Sequence, residues 1–257
     1  MIGSWLFDSM TWSYSRLSAY DQCPYQFYLK YVLCEDEQKT FFSTYGSFFH
    51  EILAACYSGS MSFRNAGVYY LTNFQSNVKK CGISDDIYLD YFESGLDYLR
   101  AQKPFGVKPL GVEMRFDFSV YKYSFTGFAD LVCRDESGSL CLIDHKSRKL
   151  KQRSSRARPT KSDAVLDRYL RQLYLYSKPI YERFGEYPKR LIFNCYRSGD
   201  IIAEPFDPIM YINAIEWASD TIGLIKSDQS FKPCVDYYYC KNICGFSQTC
   251  EYANMIS

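Results

Sequence analysis

The sequence has no apolar run long enough to cross a bilayer, and its first residues lack the basic segment that precedes the apolar part of a secretory signal. A transmembrane helix needs about 20 consecutive apolar residues, and a signal peptide needs both segments. We therefore expect a cytoplasmic protein with no membrane contact. Internal repeats and low-complexity segments are also missing, so one domain is the simplest organisation.

An excess of either charge is missing as well. The 30 Lys and Arg residues nearly balance the 29 Asp and Glu residues, for a formal net charge of +1. The overall charge therefore neither indicates nor excludes a nucleic-acid partner, and only its distribution along the chain is informative. Because 47% of the 257 residues are apolar, the chain can bury a full core, which excludes a wholly disordered protein.

Histidine is scarce and cysteine is frequent, with two and eleven residues respectively. An odd number of cysteines cannot pair completely, and a reducing cytoplasm disfavours structural disulfides. Cysteines that stand singly among apolar neighbours are expected to pack in the core as small hydrophobic residues. These are Cys56, Cys81, Cys133, Cys141 and Cys195. For some of the others, metal or cluster ligation is the better explanation.

The periodicity of the apolar residues predicts helices first and strands afterwards. Helical patterns cover about 13–31 with a break at Cys23-Pro24, 44–58, 62–101 with a break near Cys81-Gly82, 163–184 and 208–226. Strand patterns cover about 110–120, 123–133, 139–144 and 189–196. Three sequential strands, a helix and a further strand predict an α/β domain whose central mixed sheet has helices on both faces.

Two of these strands end in acidic residues. Asp130 follows Gly127, Phe128 and Ala129 at the end of one strand, and Asp144 follows the apolar run at 140–143. The strands adjoin across a short turn, so both carboxylates should lie at one sheet edge and share a hard divalent cation. Lys146 points to the same face as Asp144. Alone, an Asp-X-Lys sequence is more often a solvated surface pair, but this combination suits metal-assisted attack of water on a phosphodiester. It predicts a nuclease.

Further polar residues fit the same chemistry. His50, on a predicted helix, is a candidate ligand for a catalytic ion such as Mn²⁺. Gln172 and Tyr176 share one face of the long helix, where they either belong to a core-facing stripe or hydrogen-bond to the scissile strand or a metal-bound water. Glu51 and Glu113 are additional candidates, although a solvated helix or strand position would also explain them.

A basic segment begins directly after Lys146 and contains no acidic residue before Asp163. Such a run is usually a solvated loop, but its position favours binding of substrate phosphates, with an affinity that falls steeply with salt. The candidate DNA-binding residues are Arg148, Lys149, Lys151, Arg153, Arg156 and Arg158.

The C-terminal tail is rich in cysteine, tyrosine and polar residues, and it lacks the apolar periodicity needed for a core of its own. It carries Cys234, Cys240, Cys244 and Cys250, and Cys23 lies far upstream. Thiolate groups of this kind bind Zn²⁺ or an iron–sulfur cluster, and spacing alone does not choose between the two. No histidine lies near the tail cysteines, which disfavours a mixed Cys/His zinc site.

In combination these motifs resemble the RecB-like branch of the PD-(D/E)XK nucleases, which includes the AddB nuclease domain and the CRISPR-associated RecB-type exonucleases. The resemblance follows the order of the chain: Ser15-Arg16-Leu17, Tyr20, Cys23-Pro24, Phe27-Tyr28, Gly46, His50, Gly127 to Asp130, Asp144 to Lys146, Gln172 and Tyr176. It implies a restriction-endonuclease-like core with Lys146 as the catalytic lysine and Gln172 and Tyr176 as the supporting motif. It also implies that Mg²⁺ or Mn²⁺ is held by His50, Asp130, Asp144 and the backbone carbonyl of His145.

Family members with one N-terminal and three C-terminal cysteines carry a [4Fe-4S] cluster. The matching ligands here are Cys23, Cys240, Cys244 and Cys250. Three residues separate Cys240 from Cys244 where the family has two, so Cys234 is an alternative ligand and Zn²⁺ an alternative occupant. The expected organisation is one nuclease domain over 1–257, with cluster-binding parts at 13–31 and 232–257, a helical insertion at 62–101 and a nuclease core at 106–226.

The expected function is therefore that of a divalent-metal-dependent deoxyribonuclease, more an exonuclease than an endonuclease, acting on single-stranded DNA or on duplex ends. An alternative is a subunit of a processing complex whose nuclease fold positions DNA for a partner enzyme. The intact set of two acids and a lysine disfavours that alternative, because a binding module needs only the basic segment. A helicase, a recombination protein or a CRISPR-type processing protein is the expected kind of protein partner, since the chain is too short to include a fused motor.

Overall fold

The computed structural model describes residues 5–101 and 108–255 of the chain. Within these ranges the α-helices are α1 (Trp5–Asp8), α2 (Tyr14–Gln22), α3 (Pro24–Phe27), α4 (Phe41–Tyr57), α5 (Phe63–Asn77), α6 (Asp85–Arg100), α7 (Lys161–Phe184), α8 (Pro208–Ser227) and α9 (Glu251–Asn254). Short π-helical turns cover Tyr28–Val32 and Tyr239–Ile243. The strands are β1 (Lys108–Val120), β2 (Tyr123–Arg134), β3 (Leu140–Lys146), β4 (Arg190–Cys195) and β5 (Asp200–Pro205).

The five strands form one mixed sheet in the order β1-β2-β3-β4-β5. Neighbouring strands are antiparallel except for β3 and β4, which run parallel with Asp144 opposite Phe193. A parallel pair requires a crossover connection, and α7 is that crossover. The predicted α/β class with a central mixed sheet is confirmed.

Helices cover both faces of the sheet, as predicted. Because successive strand residues point to opposite faces, Leu142 contributes to the core on the side of α7 and α8, whereas Ile143 contributes to the core beneath α4, α5 and α6. The second core is aromatic: Phe49 of α4 stacks on Tyr196, with ring centroids 4.0 Å apart. This packing fixes α4 against the sheet, next to the carboxyl end of β3.

Side-chain caps explain where the longer helices begin. Thr40 and Ser43 form a reciprocal capping box that starts α4 three residues before the predicted position. Thr160 and Asp163 form another at the start of α7, and Gly185 ends that helix in the left-handed conformation that glycine adopts without strain. The helical pattern at 62–101 is confirmed as two helices, α5 and α6, with the predicted break between them.

Two details differ from the sequence-based expectations. Strand β5 was not predicted, and Cys81, expected in the core, is exposed, whereas Cys56, Cys133, Cys141 and Cys195 are buried. The expected start of the nuclease core at residue 106 and the ends of the 1–257 and 232–257 ranges lie outside the described residues. In the part of the chain that the structure describes, no helix combines the length and the apolar character that crossing a membrane requires.

Candidate active site

The two predicted acids lie at the edge where β2 and β3 separate. The pairing of β2 with β3 ends at Leu131 and Ile143, next to Asp130 and Asp144. The expectation that each acid ends its strand was wrong, because both lie inside their strands: β2 continues to Arg134 and pairs there with β3, and β3 continues to Lys146. Asp130 Oδ2 accepts the backbone N–H of His145 at 2.7 Å. A side-chain carboxylate thus takes over a backbone donor that has no partner on β2, and the bond fixes the direction of the carboxylate.

Lys146 is held by two polar side chains. Its Nζ lies 2.6 Å from Asp144 Oδ2 and donates a hydrogen bond to Gln172 Oε1 at 3.3 Å. The Asp144 side chain is only 5% exposed, and its buried Oδ2 makes no contact with hydrogen-bond geometry. The negative charge of this buried oxygen is therefore balanced by the Lys146 ammonium, and the two side chains form an ion pair inside the site.

A second group, facing the helix α4, could hold a cation. Ligand atoms of His50, Glu113 and Asp130 all lie within 4.8 Å of one another. His50 Nε2 lies 2.9 Å from the backbone oxygen of His145, and its Nδ1 lies 3.5 Å from Asp130 Oδ2. If Nε2 donates to that carbonyl, the Nδ1 lone pair faces a carboxylate oxygen, and two facing acceptors require a cation or a proton between them. This donor set of imidazole nitrogen and carboxylate oxygens suits Mn²⁺ or Mg²⁺.

Glu113 joins this group because of an unusual backbone conformation. Val112 pairs with Leu131 and Met114 with Ala129, so Glu113 stands opposite Asp130 across the β1–β2 pair. Its φ of 46° lies in the left-handed region, which costs a residue with a Cβ about 1–3 kcal/mol. Such strain persists where the surrounding fold enforces it, and here it accompanies a carboxylate at the cation group.

Burial and neighbouring charges raise the pKa values of Asp130, Glu113 and Lys146. Burial, with the Asp144 charge added, raises the pKa of Asp130 to about 7. Desolvation and Asp144 raise the pKa of Glu113, although His50 opposes the rise. Burial disfavours the charge on Lys146, but Asp144 and Asp130 outweigh that effect and raise its pKa, so Lys146 stays an ammonium ion.

His145 is buried and has its own neighbours. Burial, with the nearby His50 and Lys146 charges added, lowers the pKa of His145 well below the usual range. Its Nδ1 lies 3.0 Å from the Asn194 amide nitrogen, and its ring stacks on Tyr57. The imidazole is therefore neutral and structural, while its backbone oxygen lies beside His50. That this oxygen is a metal ligand stays a prediction.

The predicted pair on α7 reaches the same edge. Gln172 contacts Lys146 as described, and Tyr176 packs over Gly127, where an added Cβ would lie 2.4 Å from the nearest ring carbon. The glycine of the Gly127 to Asp130 segment is thus required by the approach of the tyrosine ring. Burial raises the pKa of Tyr176 to about 12, so its hydroxyl stays protonated.

Glu51 and the basic segment lie further out. Glu51 lines the open cleft of about 550 Å³ that also contains His50 and Glu113, but it is not part of the cation group. Arg148 lies over the ring of Tyr169, which also lies 5.6 Å from Lys146 Nζ. The other predicted DNA-binding residues are all exposed: Lys149, Lys151, Arg153, Arg156 and Arg158.

Two residues of this segment already have acidic partners. Arg153 contacts Asp167 at 2.7 Å and Glu204 at 2.8 Å, and Lys149 lies 3.5 Å from Asp200. These acids come from α7 and β5, so the sequence of the loop itself did not reveal them. Within the described residues, Lys151, Arg156 and Arg158 have no carboxylate within 4.0 Å, and they keep their charge available for phosphate.

The predicted cluster ligands meet although they come from opposite ends of the chain. One enclosed and almost wholly apolar cavity is lined by Cys23, Cys234, Cys240, Cys244 and Cys250. Cys23 Sγ accepts the backbone N–H of Cys234 at 3.3 Å. Burial raises the pKa of the Cys244 thiol to about 11, and the neighbouring Cys240, Cys23 and Cys250 add to the rise. Which four of the five are ligands stays a prediction.

The sequence indicated Glu113 only as an additional candidate, and it did not predict that Asp144 lies apart from the cation group. The structure brings Glu113 together with His50 and Asp130, whereas Asp144 lies with Lys146 and is not one of the three ligand groups within 4.8 Å. The strand register opposite Asp130 was the available signal for Glu113. The left-handed backbone that allows its approach cannot be inferred from the sequence.

Comparison with known proteins agrees with this geometry. The fold and the site define a metal-dependent nuclease, and the family model of the PD-(D/E)XK nuclease superfamily matches residues 11–190. The chain therefore belongs to the PD-(D/E)XK nuclease superfamily. Comparison with curated protein sequences gave no match.

Two solved structures are similar over most of the chain. One is the "Putative exonuclease" of Eubacterium rectale, with 11% identity, a TM-score of 0.52, and coverage of 96% of this chain and 88% of the other. The other is SSO0001, with 19% identity, a TM-score of 0.36, and coverage of 95% and 86%. At these identities the Eubacterium rectale protein supports the fold alone.

Proposed function

We propose that this protein is a divalent-metal-dependent deoxyribonuclease that degrades single-stranded DNA or DNA ends as an exonuclease of the RecB-like branch. The observation that carries the proposal is the meeting of two groups at one sheet edge. The first is the His50, Asp130 and Glu113 cation group, and the second is the Asp144–Lys146 ion pair. A binding module has no need of a buried lysine supported by two polar side chains beside a cation site.

The ligand set fits a hard divalent ion. His50, Asp130 and Glu113 would hold it, with the His145 backbone oxygen beside them and Asp144 as a further predicted ligand. When bound, such an ion supplies polarisation of the phosphoryl oxygen and a lower pKa for a coordinated water. Asp130 must be ionised to serve as a ligand, so the metal competes with a proton at this carboxyl.

Lys146 has an electrostatic task in this proposal. Because its pKa is raised, it is unsuited to removing a proton from water and suited to stabilising negative charge on the phosphate. Asp144 and Gln172 fix the ammonium before substrate arrives, so little reorganisation is needed. Tyr176 is buried and packs on Gly127 of the strand that carries Asp130.

We also propose that Cys23, Cys240, Cys244 and Cys250 hold a [4Fe-4S] cluster, with Cys234 as the alternative ligand. The observation that supports this proposal is that all five cysteines, from opposite ends of the chain, line one cavity. The cluster would join the two chain ends and has no chemical step assigned to it.

The cluster proposal is tested by anaerobic purification and measurement of iron, sulfide and visible absorption. Cys23→Ser should remove the visible band, while Cys34→Ser, at an exposed cysteine outside the cavity, should retain it. Stoichiometric zinc with no iron in freshly prepared protein would contradict the cluster and favour the zinc alternative.

The nuclease proposal is tested on end-labelled linear DNA and on covalently closed single-stranded circles, with Mg²⁺ or Mn²⁺. Linear single strands should shorten from an end, and circles should resist. Asp130→Asn keeps an acceptor for the His145 N–H but removes the ligand charge, so cleavage should fall at least about 100-fold. The matched control is Asp117→Asn, at an exposed acid of β1. Binding of DNA without cleavage under either ion would favour the DNA-positioning alternative.

A further inference from the structure

A polar groove runs along the outer face of α4, from the cation group toward the cysteine-rich tail. Three cavities form it, and neighbouring cavities share lining residues. Ser47 and Glu51 line both the cleft at His50 and a second cavity of about 440 Å³. Lys39 and Thr40 line both this second cavity and a third of about 410 Å³. At 1.5 Å per helical residue, the path from Thr40 to Glu51 is about 16 Å long.

The groove offers the groups that recognise a sugar–phosphate backbone. Hydroxyl and amide side chains dominate its lining: Thr40, Ser43, Ser47, Asn77, Asn242 and Gln248. Such groups make most of the contacts to phosphate and sugar in nucleic-acid complexes. Two lysines, Lys39 and Lys241, also line it, and neither has a carboxylate within 4.0 Å among the described residues. Of the acids in the lining, Glu37 is already paired with Lys30, whereas Glu51 and Glu113 lie at the end of the groove near the cation group.

An exposed aromatic ring lies at the far end of the groove. Tyr237 is 53% exposed and lines the third cavity. Lys241 donates a hydrogen bond to its hydroxyl at 3.0 Å, and the ammonium lies 5.2 Å from the ring centroid. The lysine therefore restrains the ring, and about half of the side chain is accessible to solvent. A restrained aromatic ring next to a cation is the arrangement on which unpaired bases stack.

We propose that this groove binds the single-stranded part of the DNA substrate, with one base stacked on Tyr237 and phosphates contacted by Lys39 and Lys241. A duplex would not supply the unpaired base that the ring requires. The link from the groove to the reaction centre rests on the proposed nuclease function, whereas the binding itself does not. At a stacked rise of 3.4 Å per nucleotide, the stretch of about 16 Å from Thr40 to Glu51 accommodates about five nucleotides.

The binding test uses fluorescein-labelled oligothymidylate of 16 nucleotides and fluorescence anisotropy in EDTA, so that hydrolysis does not interfere. Tyr237→Ala should weaken binding on the order of tenfold, and Tyr237→Phe should bind within about twofold of the natural protein. Lys241→Gln should lower the salt dependence by about one charge. The matched control is Tyr121→Ala, at a tyrosine that is 66% exposed and lines none of the three cavities.

A second measurement uses the unaltered protein and therefore does not depend on how a variant folds. Oligothymidylate that carries 5-iodouracil should photo-crosslink to the peptide containing Tyr237. Equal DNA affinity of Tyr237→Ala and the natural protein, or crosslinks confined to other peptides, would refute the proposal that the groove binds single-stranded DNA. If DNA is bound through Tyr237 but never cleaved, the nuclease proposal fails and the groove stands. If DNA is cleaved equally well with and without Tyr237, the nuclease proposal stands and the groove proposal fails.

Discussion

Removal of the Lys146 side chain should destabilise the protein as well as inactivate it. The Asp144 carboxylate beside it is 5% exposed and lacks any hydrogen bond to Oδ2, so Lys146→Ala leaves a buried charge without compensation. Breaking a buried ion pair on one side costs about 3–5 kcal/mol. Lys146 is itself 20% exposed, so water can partly reach the vacated position, and we expect the low end of that range.

A loss of about 3 kcal/mol should lower Tm by roughly 6 to 12 °C in a domain of this size. The measurement is differential scanning calorimetry in EDTA, so that a divalent ion does not replace the missing charge. Asp144→Asn combined with Lys146→Ala removes both charges and should recover about 2 kcal/mol of the loss. Lys80→Ala serves as the control, because its pair with Asp85 is largely exposed and contributes less than about 1 kcal/mol.

Two results would refute this reasoning. A Tm for Lys146→Ala equal to that of the natural protein would mean that Asp144 does not depend on the lysine. A double variant no more stable than Lys146→Ala would mean that the destabilisation comes from lost packing and not from the buried charge.

Four further predictions concern the cation group and its surroundings. Because the pKa of Asp130 is raised to about 7, Mn²⁺ affinity should fall as the pH drops through 7, and binding near that pH should release protons. Calorimetry in buffers of different ionisation enthalpy detects this proton release. A Mn²⁺ affinity that does not change between about pH 6 and 8 would contradict the prediction. In the metal-free protein the same carboxyl should stabilise the fold most below its unfolded pKa near 3.8 and lose that contribution as the pH rises through 7. Gly127→Ala should force the Tyr176 ring away, costing about 1–3 kcal/mol in denaturant unfolding and most of the activity, whereas an unchanged Tm would show that the ring adapts. Glu113→Gly should raise stability by about 1 kcal/mol in the same assay, because the left-handed strain is relieved, while Mn²⁺ affinity falls at least about tenfold; a stability loss would count against enforced strain.

The longer elements were predictable because their apolar periodicity is unambiguous. The crossover helix α7 and strands β1 to β4 agree with the pattern within a few residues. Strand β5 was missed because Asp200–Pro205 is six residues long, alternately exposed at the sheet edge, and ends in proline. A short edge strand gains its identity from pairing with β4, and that pairing is not local information.

The active site was predictable where the sheet alone determines it. Asp130, Asp144 and Lys146 meet because a hairpin and the strand pleat bring them together. His50 reaches them only through the packing of α4 on the sheet, so residue type and the family resemblance indicated it as a candidate ligand without predicting its position. The partners of Arg153 come from residues 14 and 51 positions away, which explains why the loop seemed to carry more uncompensated charge than it does.

The meeting of Cys23 with the tail cysteines has a consequence for the order of assembly in the cell. Cys23 and Cys234 are 211 positions apart, and the other tail cysteines are farther still. Because a chain emerges from the ribosome N-terminus first, every strand of the sheet is synthesised before the thiol pocket can close. The hairpin and its cation group can therefore form in a nascent chain before the tail cysteines reach Cys23. If the protein holds the proposed [4Fe-4S] cluster, cluster insertion is a late maturation step, and the supply of iron and sulfide limits the yield of closed protein without limiting its synthesis.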